Sequence, residues 1–219
     1  MCGLDAKELC SGIFSDVMDT MGYRGQIITG FKKNKSTISV LGRARTLKIE
    51  TIETDNENIR MGLSFVGKVG KGEILLVSGS ERFAYFGEMM TKLSVRQGIE
   101  AIVIDGLTRD TNYTHQVSVQ LPILAKGYSP VDIKGRGSVQ STDVDIVING
   151  VKIEPNDFVY IDNEAICIVP KEIEGEVIEK VKEKITEERR ITQLIESGVS
   201  VEELLNIVKS FRFFFISAK

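Results

Sequence analysis

Apolar residues at Leu9, Ile13, Phe14, Val17, Met18 and Met21 draw a helical stripe across Asp5 to Met21, and Gly22 closes it. The period then changes. In residues 38–51, "ISVLGRARTLKIET", Ala44, Thr46 and Lys48 alternate with Arg45, Leu47 and Ile49, which predicts one or two strands. "NENIRMGLSFVGKV" predicts a helix ended by the turn at Gly70 to Gly72. "EILLVSG" and "EAIVIDG" are short continuous apolar runs, as expected of strands covered on both faces. Between them a loop, "SERFAYF", leads into a helix running from Gly87 to Gln97 and stopped by Gly98. Strand, helix and strand make a βαβ unit, with parallel strands and a right-handed crossover expected.

"LPILAKG" predicts a further strand. Residues 138–170 are short alternating runs broken at Asn149-Gly150 and at Pro155-Asn156-Asp157, which predicts antiparallel hairpins. From Lys171 the period is helical again, with Ile173, Val177, Ile178, Val181 and Ile185 on one stripe, and a last helix is expected from Val201 to Phe211. Repeats, linkers and low-complexity stretches are absent. The expectation is one α/β domain over residues 1–219, with 171–219 as a C-terminal helical extension.

Composition narrows the function. At 219 residues, 42% hydrophobic and 27% charged, the chain can bury a full core. A net charge of −3 argues against a large nucleic-acid footprint. No apolar run reaches membrane-spanning length, and the start lacks the pattern of a secretory signal, so no membrane partner is expected. Three cysteines, Cys2, Cys10 and Cys167, form no CxxC and read as reduced thiols in the cytoplasm. The single histidine, His115, rules out a multi-histidine zinc site on one chain and reads as structural or solvent-facing. Nucleotide-binding and covalent-catalysis motifs are missing.

Two strand ends carry candidate chemistry: Ser78-Gly79, and Asp105-Gly106 leading to Arg109-Asp110. In open α/β sheets ligands sit outside the carboxyl ends of the strands, and the helix from Gly87 points its N-terminus at the same place. Arg109 offers a planar fork for a carboxylate. Asp110 and Glu88 offer hard oxygens for Mg²⁺ or Mn²⁺, which keep several waters and need few protein carboxylates. Such a crevice suits a small 2-oxo acid beside a divalent metal. The same residues also read as a surface ion pair of Arg109 with Glu88 or Asp105, with Asp110 capping the next turn.

Glu88, twenty intervening residues and Arg109-Asp110 resemble the D/E-x20-R-D signature of the RraA-like family. "SDVMDTMGYRG" is similar to the family's opening helix, "KGYSPVDIKGRG" to its post-strand loop, and "INGVKIEPNDFVYIDNEAICIVP" to its hairpin region. The likeness runs from Phe14 to Arg190. The family includes metal-dependent 4-hydroxy-4-methyl-2-oxoglutarate/4-carboxy-4-hydroxy-2-oxoadipate aldolases, regulators of ribonuclease E activity and demethylmenaquinone methyltransferase-like proteins. The resemblance implies a swivelling β/β/α-type layered fold with a central βαβ unit, antiparallel hairpins and terminal helices. It implies Asp110 as the direct metal ligand and Glu88 as the holder of metal-bound waters. It implies Arg109 as the residue that binds substrate oxygens and stabilises an enolate. Gly87 and the backbone amides of Met89 and Met90 would cradle the pyruvyl carboxylate. Acid–base groups would come from a neighbouring subunit, with Asp16 and Glu187 (or Glu188) as the matches, in a homotrimer or homohexamer.

Two functions follow from that resemblance, a divalent-metal-dependent carbon–carbon lyase acting on a 2-oxo acid and a non-catalytic regulator that binds a protein partner; a third reading keeps the enzyme and changes the substrate to a sugar acid. The last is suggested by Lys126, Lys134 and Arg136 in the "KGYSPVDIKGRG" loop, which also reads as a solvated loop. Two turns depart from the family pattern. Asn156-Asp157 keeps a turn former, whereas Glu164-Ala165 lacks the usual glycine. The aromatic run Phe211 and Phe213 to Phe215 is expected to cover a neighbouring subunit or the chain's own core.

Overall fold

The computed structural model describes residues 6–52, 57–116 and 118–208. A 3-10 turn, Ala6–Glu8, precedes helix α1 (Ser11–Thr20). Short strands β1 (Ile27–Ile28) and β2 (Lys32–Lys33) lead to the long β3 (Ser39–Glu50). Then come α2 (Glu57–Val66), β4 (Glu73–Ser78), β5 (Ala84–Phe86), α3 (Glu88–Gln97), β6 (Ala101–Thr108) and the single turn α4 (Thr111–Thr114). Strands β7 (Ile123–Tyr128), β8 (Ser138–Thr142), β9 (Ile146–Ile148), β10 (Val151–Ile153), β11 (Phe158–Asp162) and β12 (Ile166–Val169) follow. Helices α5 (Glu174–Glu196) and α6 (Val201–Val208) end the described chain. Cys2, Phe211 and Phe213 to Phe215 lie outside the described residues.

The main sheet runs β1-β12-β11-β3-β4-β6-β7-β2. Its centre, β3-β4-β6-β7, is parallel; β11 beyond β3 and β2 beyond β7 are antiparallel. The apolar runs read as doubly covered strands are just that. Leu75, Val77, Ile102 and Ile104 face α2 and α3, while Ile74, Leu76, Ala101 and Val103 face the β9-β10 hairpin. Each buried aliphatic side chain contributes about 1.5–3 kcal/mol of transfer free energy, so these strands anchor the molecule.

Register shows how the layers stack. Tyr160 pairs with Leu41 and Phe158 with Arg43, so these residues share the face on which Leu47 and Leu75 also lie. Phe14, Val17, Val177 and Val181 of α1 and α5 cover Phe158 and Tyr160 on that face. All four packed helices therefore lie on one side of the sheet and the hairpin on the other. This is a mixed α/β fold in β/β/α layers.

Two local readings differ from expectation. The first helix starts at Ser11 rather than Asp5, because its N-terminal N–H is capped from a distance: Ser11 donates to Asp162 Oδ2 at 2.7 Å. The second is the loop at 80–86, which is partly strand. β4 stops at Ser78 opposite Asp105, but β6 continues to Thr108, and β5 fills the edge that β4 leaves open.

Candidate active site

That replacement of β4 by β5 builds the crevice. Phe86 pairs with Thr108, and its carbonyl accepts from the Arg109 N–H and the Thr108 hydroxyl, both at 2.8 Å. Gly87 is thereby set directly beside Arg109 and Asp110. Its backbone is extended, so conformational freedom is not the reason for glycine here. Space is: a Cβ on Gly87 would stand 2.3 Å from Asp110 Oδ2 and 2.9 Å from Arg109 Cγ. Residues twenty-two positions apart can meet only because nothing projects between them.

Helix α3 begins at Glu88, whose N–H donates to Asp110 Oδ2 at 2.8 Å. The first intrahelical bond is Thr91 N–H to the Gly87 carbonyl, so the Met89 and Met90 N–H groups ahead of it have no intrahelical acceptor. Asp110 sits at φ 58, a left-handed conformation that aspartate tolerates better than most residues. The turn α4 that it starts receives no side-chain cap from it; the carboxylate reaches across to α3 instead.

Arg109 is two-thirds covered and forms an ion pair through Nη1 with Asp132 Oδ1 at 3.2 Å, with Nε 3.8 Å from Asp110 Oδ2. The expected pairings with Glu88 or Asp105 are replaced by these. Asp132 was not a sequence candidate. The signal was its place in the post-strand loop, which docks back on the site: the Ala84 N–H donates to the Val131 carbonyl at 2.7 Å. The Glu88 carboxylate forms an ion pair with Lys92 one turn along, and this contact raises the Lys92 pKa.

Glu88, Met89, Met90, Arg109, Asp110 and Asp132 line one depression of about 140 Å³, closed behind by Tyr85 and Ile133. Arg109 and Asp110 also line a second, larger depression of about 340 Å³ with Thr111, Asn112, Tyr128, Ser129 and Pro130. The Tyr85 hydroxyl is buried without a hydrogen-bond partner among the described residues, and burial pushes its pKa well up.

Asp16 and Glu187 line neither depression. Asp16, on α1, forms an ion pair with Lys184 of α5 at 2.9 Å; Lys184 itself is buried. Glu187 Oε2 is buried and unpartnered among the described residues. Glu188 lies 3.5 Å from Lys184. His115 packs edge-on against Tyr128, with Nε2 3.4 Å from the phenol oxygen. Two of the basic residues singled out in the sequence make contacts away from both depressions. Lys126 lies over Phe31 and 3.5 Å from Asp105, and Arg136 donates to its own loop's carbonyls.

Among the described residues no three His, Cys, Asp or Glu side chains gather as a metal cluster. The donor set here fits a hard divalent cation held by one or two carboxylates and otherwise by water, and not an all-protein cage.

An arginine and acids thus stand at the carboxyl ends of parallel strands, next to open helix N–H groups, where α/β proteins as a class place their ligands. The chain belongs to the RraA-like family: the family's sequence model, described as Aldolase/RraA, matches residues 13–168. A Pseudomonas putida (strain W619) protein, named as a candidate 4-hydroxy-4-methyl-2-oxoglutarate aldolase, is 33% identical over 129 residues, 58% of this chain and 77% of that protein. DlpA of Legionella pneumophila (strain Philadelphia 1) is 24% identical over 196 residues, 88% of this chain but only 31% of DlpA. The chain thus spans less than a third of DlpA's length. The solved structure of Streptomyces coelicolor RraAS2, an unusual member of the RNase ES inhibitor RraA protein family, superimposes with a TM-score of 0.73 at 22% identity. That match covers 90% of this chain and 98% of RraAS2, and it shares the fold.

Proposed function

We propose that this protein is a divalent-metal-dependent carbon–carbon lyase that cleaves a 4-hydroxy-2-oxo acid to pyruvate and a second carbonyl compound. The observation that carries the reading is the meeting of Glu88, Arg109 and Asp110 at the open N-terminus of α3. The Met89 and Met90 N–H groups take the pyruvyl carboxylate, helped by the helix dipole. Asp110 would hold a divalent cation directly, and Glu88 would hold its bound waters. When bound, it supplies Lewis-acid stabilisation of the negative charge that develops on the 2-oxo oxygen.

Cleavage breaks the C3–C4 bond. Its electron pair passes to C3 as a pyruvate enolate, the C4 hydroxyl gives its proton to a base, and C4 becomes a carbonyl. A proton then returns to C3 to give pyruvate. Arg109, preset by Asp132, stabilises the enolate oxygen through fixed N–H donors, an arrangement that costs no reorganisation during the reaction. Asp16 and Glu187 of a second copy supply the acid–base groups in a trimeric or hexameric cytoplasmic assembly.

The competing reading is a non-catalytic regulator on the same fold. One observation favours it: within a single chain the remaining carboxylate of the lining, Asp132, is tied to Arg109. Coupled detection of pyruvate from 4-hydroxy-4-methyl-2-oxoglutarate or oxaloacetate, with Mg²⁺ or Mn²⁺, separates the two. Turnover that survives Asp110→Ala or excess chelator overturns the lyase mechanism, and no turnover with either acid supports the regulator.

A further inference from the structure

We propose that the second depression, which shares Arg109 and Asp110 with the first, is the subsite for the departing half of the substrate, and that it selects a polyhydroxylated chain. The substrate class is then a 3-deoxy-2-oxo sugar acid. The inference rests on the lyase reading and adds the identity of the part that leaves.

Position comes first. Arg109 and Asp110 are shared by both depressions, so a molecule whose pyruvyl end lies on the α3 amides must cross these two residues to reach the other side. The bond that breaks is the one beside the enolate, and it lies at that crossing. The half beyond it then faces the second depression. Size comes second: about 340 Å³ against about 140 Å³ means the departing half can be larger than the pyruvyl half.

Chemistry decides the class. Beyond the shared pair, Thr111, Asn112, Ser129 and Tyr128 carry two hydroxyls, an amide and a phenol, and no charge. The Ser129 Oγ accepts from the Val131 N–H at 3.2 Å, a bond that leaves its own proton free to be donated. Neutral groups that both donate and accept match sugar hydroxyls. Among the described residues Arg109 is the one cation of the lining, and its free donors serve the enolate oxygen; Lys32, another nearby cation, lies over the Tyr128 ring at 5.3 Å and is not part of the lining. Lys126, Lys134 and Arg136 of the same loop do not line the depression, so the loop acts through Tyr128 and Ser129.

A site built to hydrogen-bond hydroxyls rejects analogues that lack them, because its own groups are then left unpaired. The test compares three substrates on wild-type protein with Mg²⁺: a 3-deoxy-2-oxohexonate, 4-hydroxy-4-methyl-2-oxoglutarate, and oxaloacetate, which needs only the pyruvyl side. We expect kcat/KM for the sugar acid to exceed that for the branched dicarboxylate by about tenfold or more. Asn112→Ala and Ser129→Ala should each lower the sugar-acid value by about tenfold more than the oxaloacetate value, roughly the weight of one lost hydrogen bond. Preference for the dicarboxylate, or equal losses on all substrates, overturns the subsite. Absence of pyruvate from all three overturns the lyase reading itself. Oxaloacetate turnover without sugar-acid turnover overturns the subsite alone.

Discussion

Two aspartates in this molecule do the same structural job in opposite ways. Asp162 ends β11 and caps α1 by accepting from the Ser11 N–H; Asp110 follows β6 and caps α3 by accepting from the Glu88 N–H. Asp162 is 8% exposed, and its other oxygen also accepts from the Glu164 and Ala165 N–H groups at 2.8 and 3.0 Å. Asp110 has a side chain 43% exposed, on left-handed backbone, with Arg109 beside it. One carboxylate spends its hydrogen-bonding capacity on the fold; the other leaves part of its capacity unused among the described residues. A saturated cap stabilises, and an unsaturated one in a crevice is available for chemistry.

Removal of each carboxylate should therefore break different properties. Asp110→Ala is expected to lower lyase turnover about a thousandfold, near 4 kcal/mol of transition-state stabilisation, with only about 1 kcal/mol lost in denaturant unfolding. Asp162→Ala should do the reverse. Three N–H groups lose their acceptor, which costs about 3 kcal/mol in unfolding, while kcat per folded molecule stays within a factor of two or so.

Acid titration sharpens the same contrast. Burial works to raise the Asp162 pKa, but the N–H donors of Ala165, Glu164 and Ser11 together outweigh it and hold the carboxyl below its usual value. A folded pKa below the unfolded one means stability that is present above about pH 4 and lost as the pH falls through the folded value. Unfolding free energy measured against pH should show this acid limb, and Asp162→Ala should flatten it.

Gly87→Ala tests the geometry of the Asp110 cap, and with it the proposed site, without touching a charge. The new Cβ would displace the Asp110 carboxylate from the Glu88 N–H, and about a hundredfold loss of kcat/KM is expected, as for a misplacement of roughly an ångström. The smallest effect belongs to Tyr85→Phe. Its hydroxyl is buried without a partner among the described residues, so its removal should leave stability unchanged or raise it by about 1 kcal/mol in thermal unfolding.

Much of the fold was legible in the chain. The βαβ unit at 73–108 is announced by two apolar runs with an amphipathic segment between them, because a strand buried on both faces cannot carry polar residues on either. The Asn149-Gly150 hairpin is equally local: both residues adopt positive φ, which those residue types accept most readily. β5 was not legible, since three residues form a strand only where a neighbour presents an unpaired edge.

Chemistry-bearing residue types at the strand ends, Glu88, Arg109 and Asp110, could be read in advance, and so could the family that their spacing resembles. Who pairs with whom was settled in three dimensions. Arg109 turned to Asp132, twenty-three positions away, and Asp110 capped α3 rather than its own turn. Side-chain partners depend on which loops a sheet brings together, and hydrogen bonds and charges act over a few ångströms of space, whatever the distance along the chain. Local period and turn chemistry sufficed for the elements; only the packed sheet could decide the neighbours.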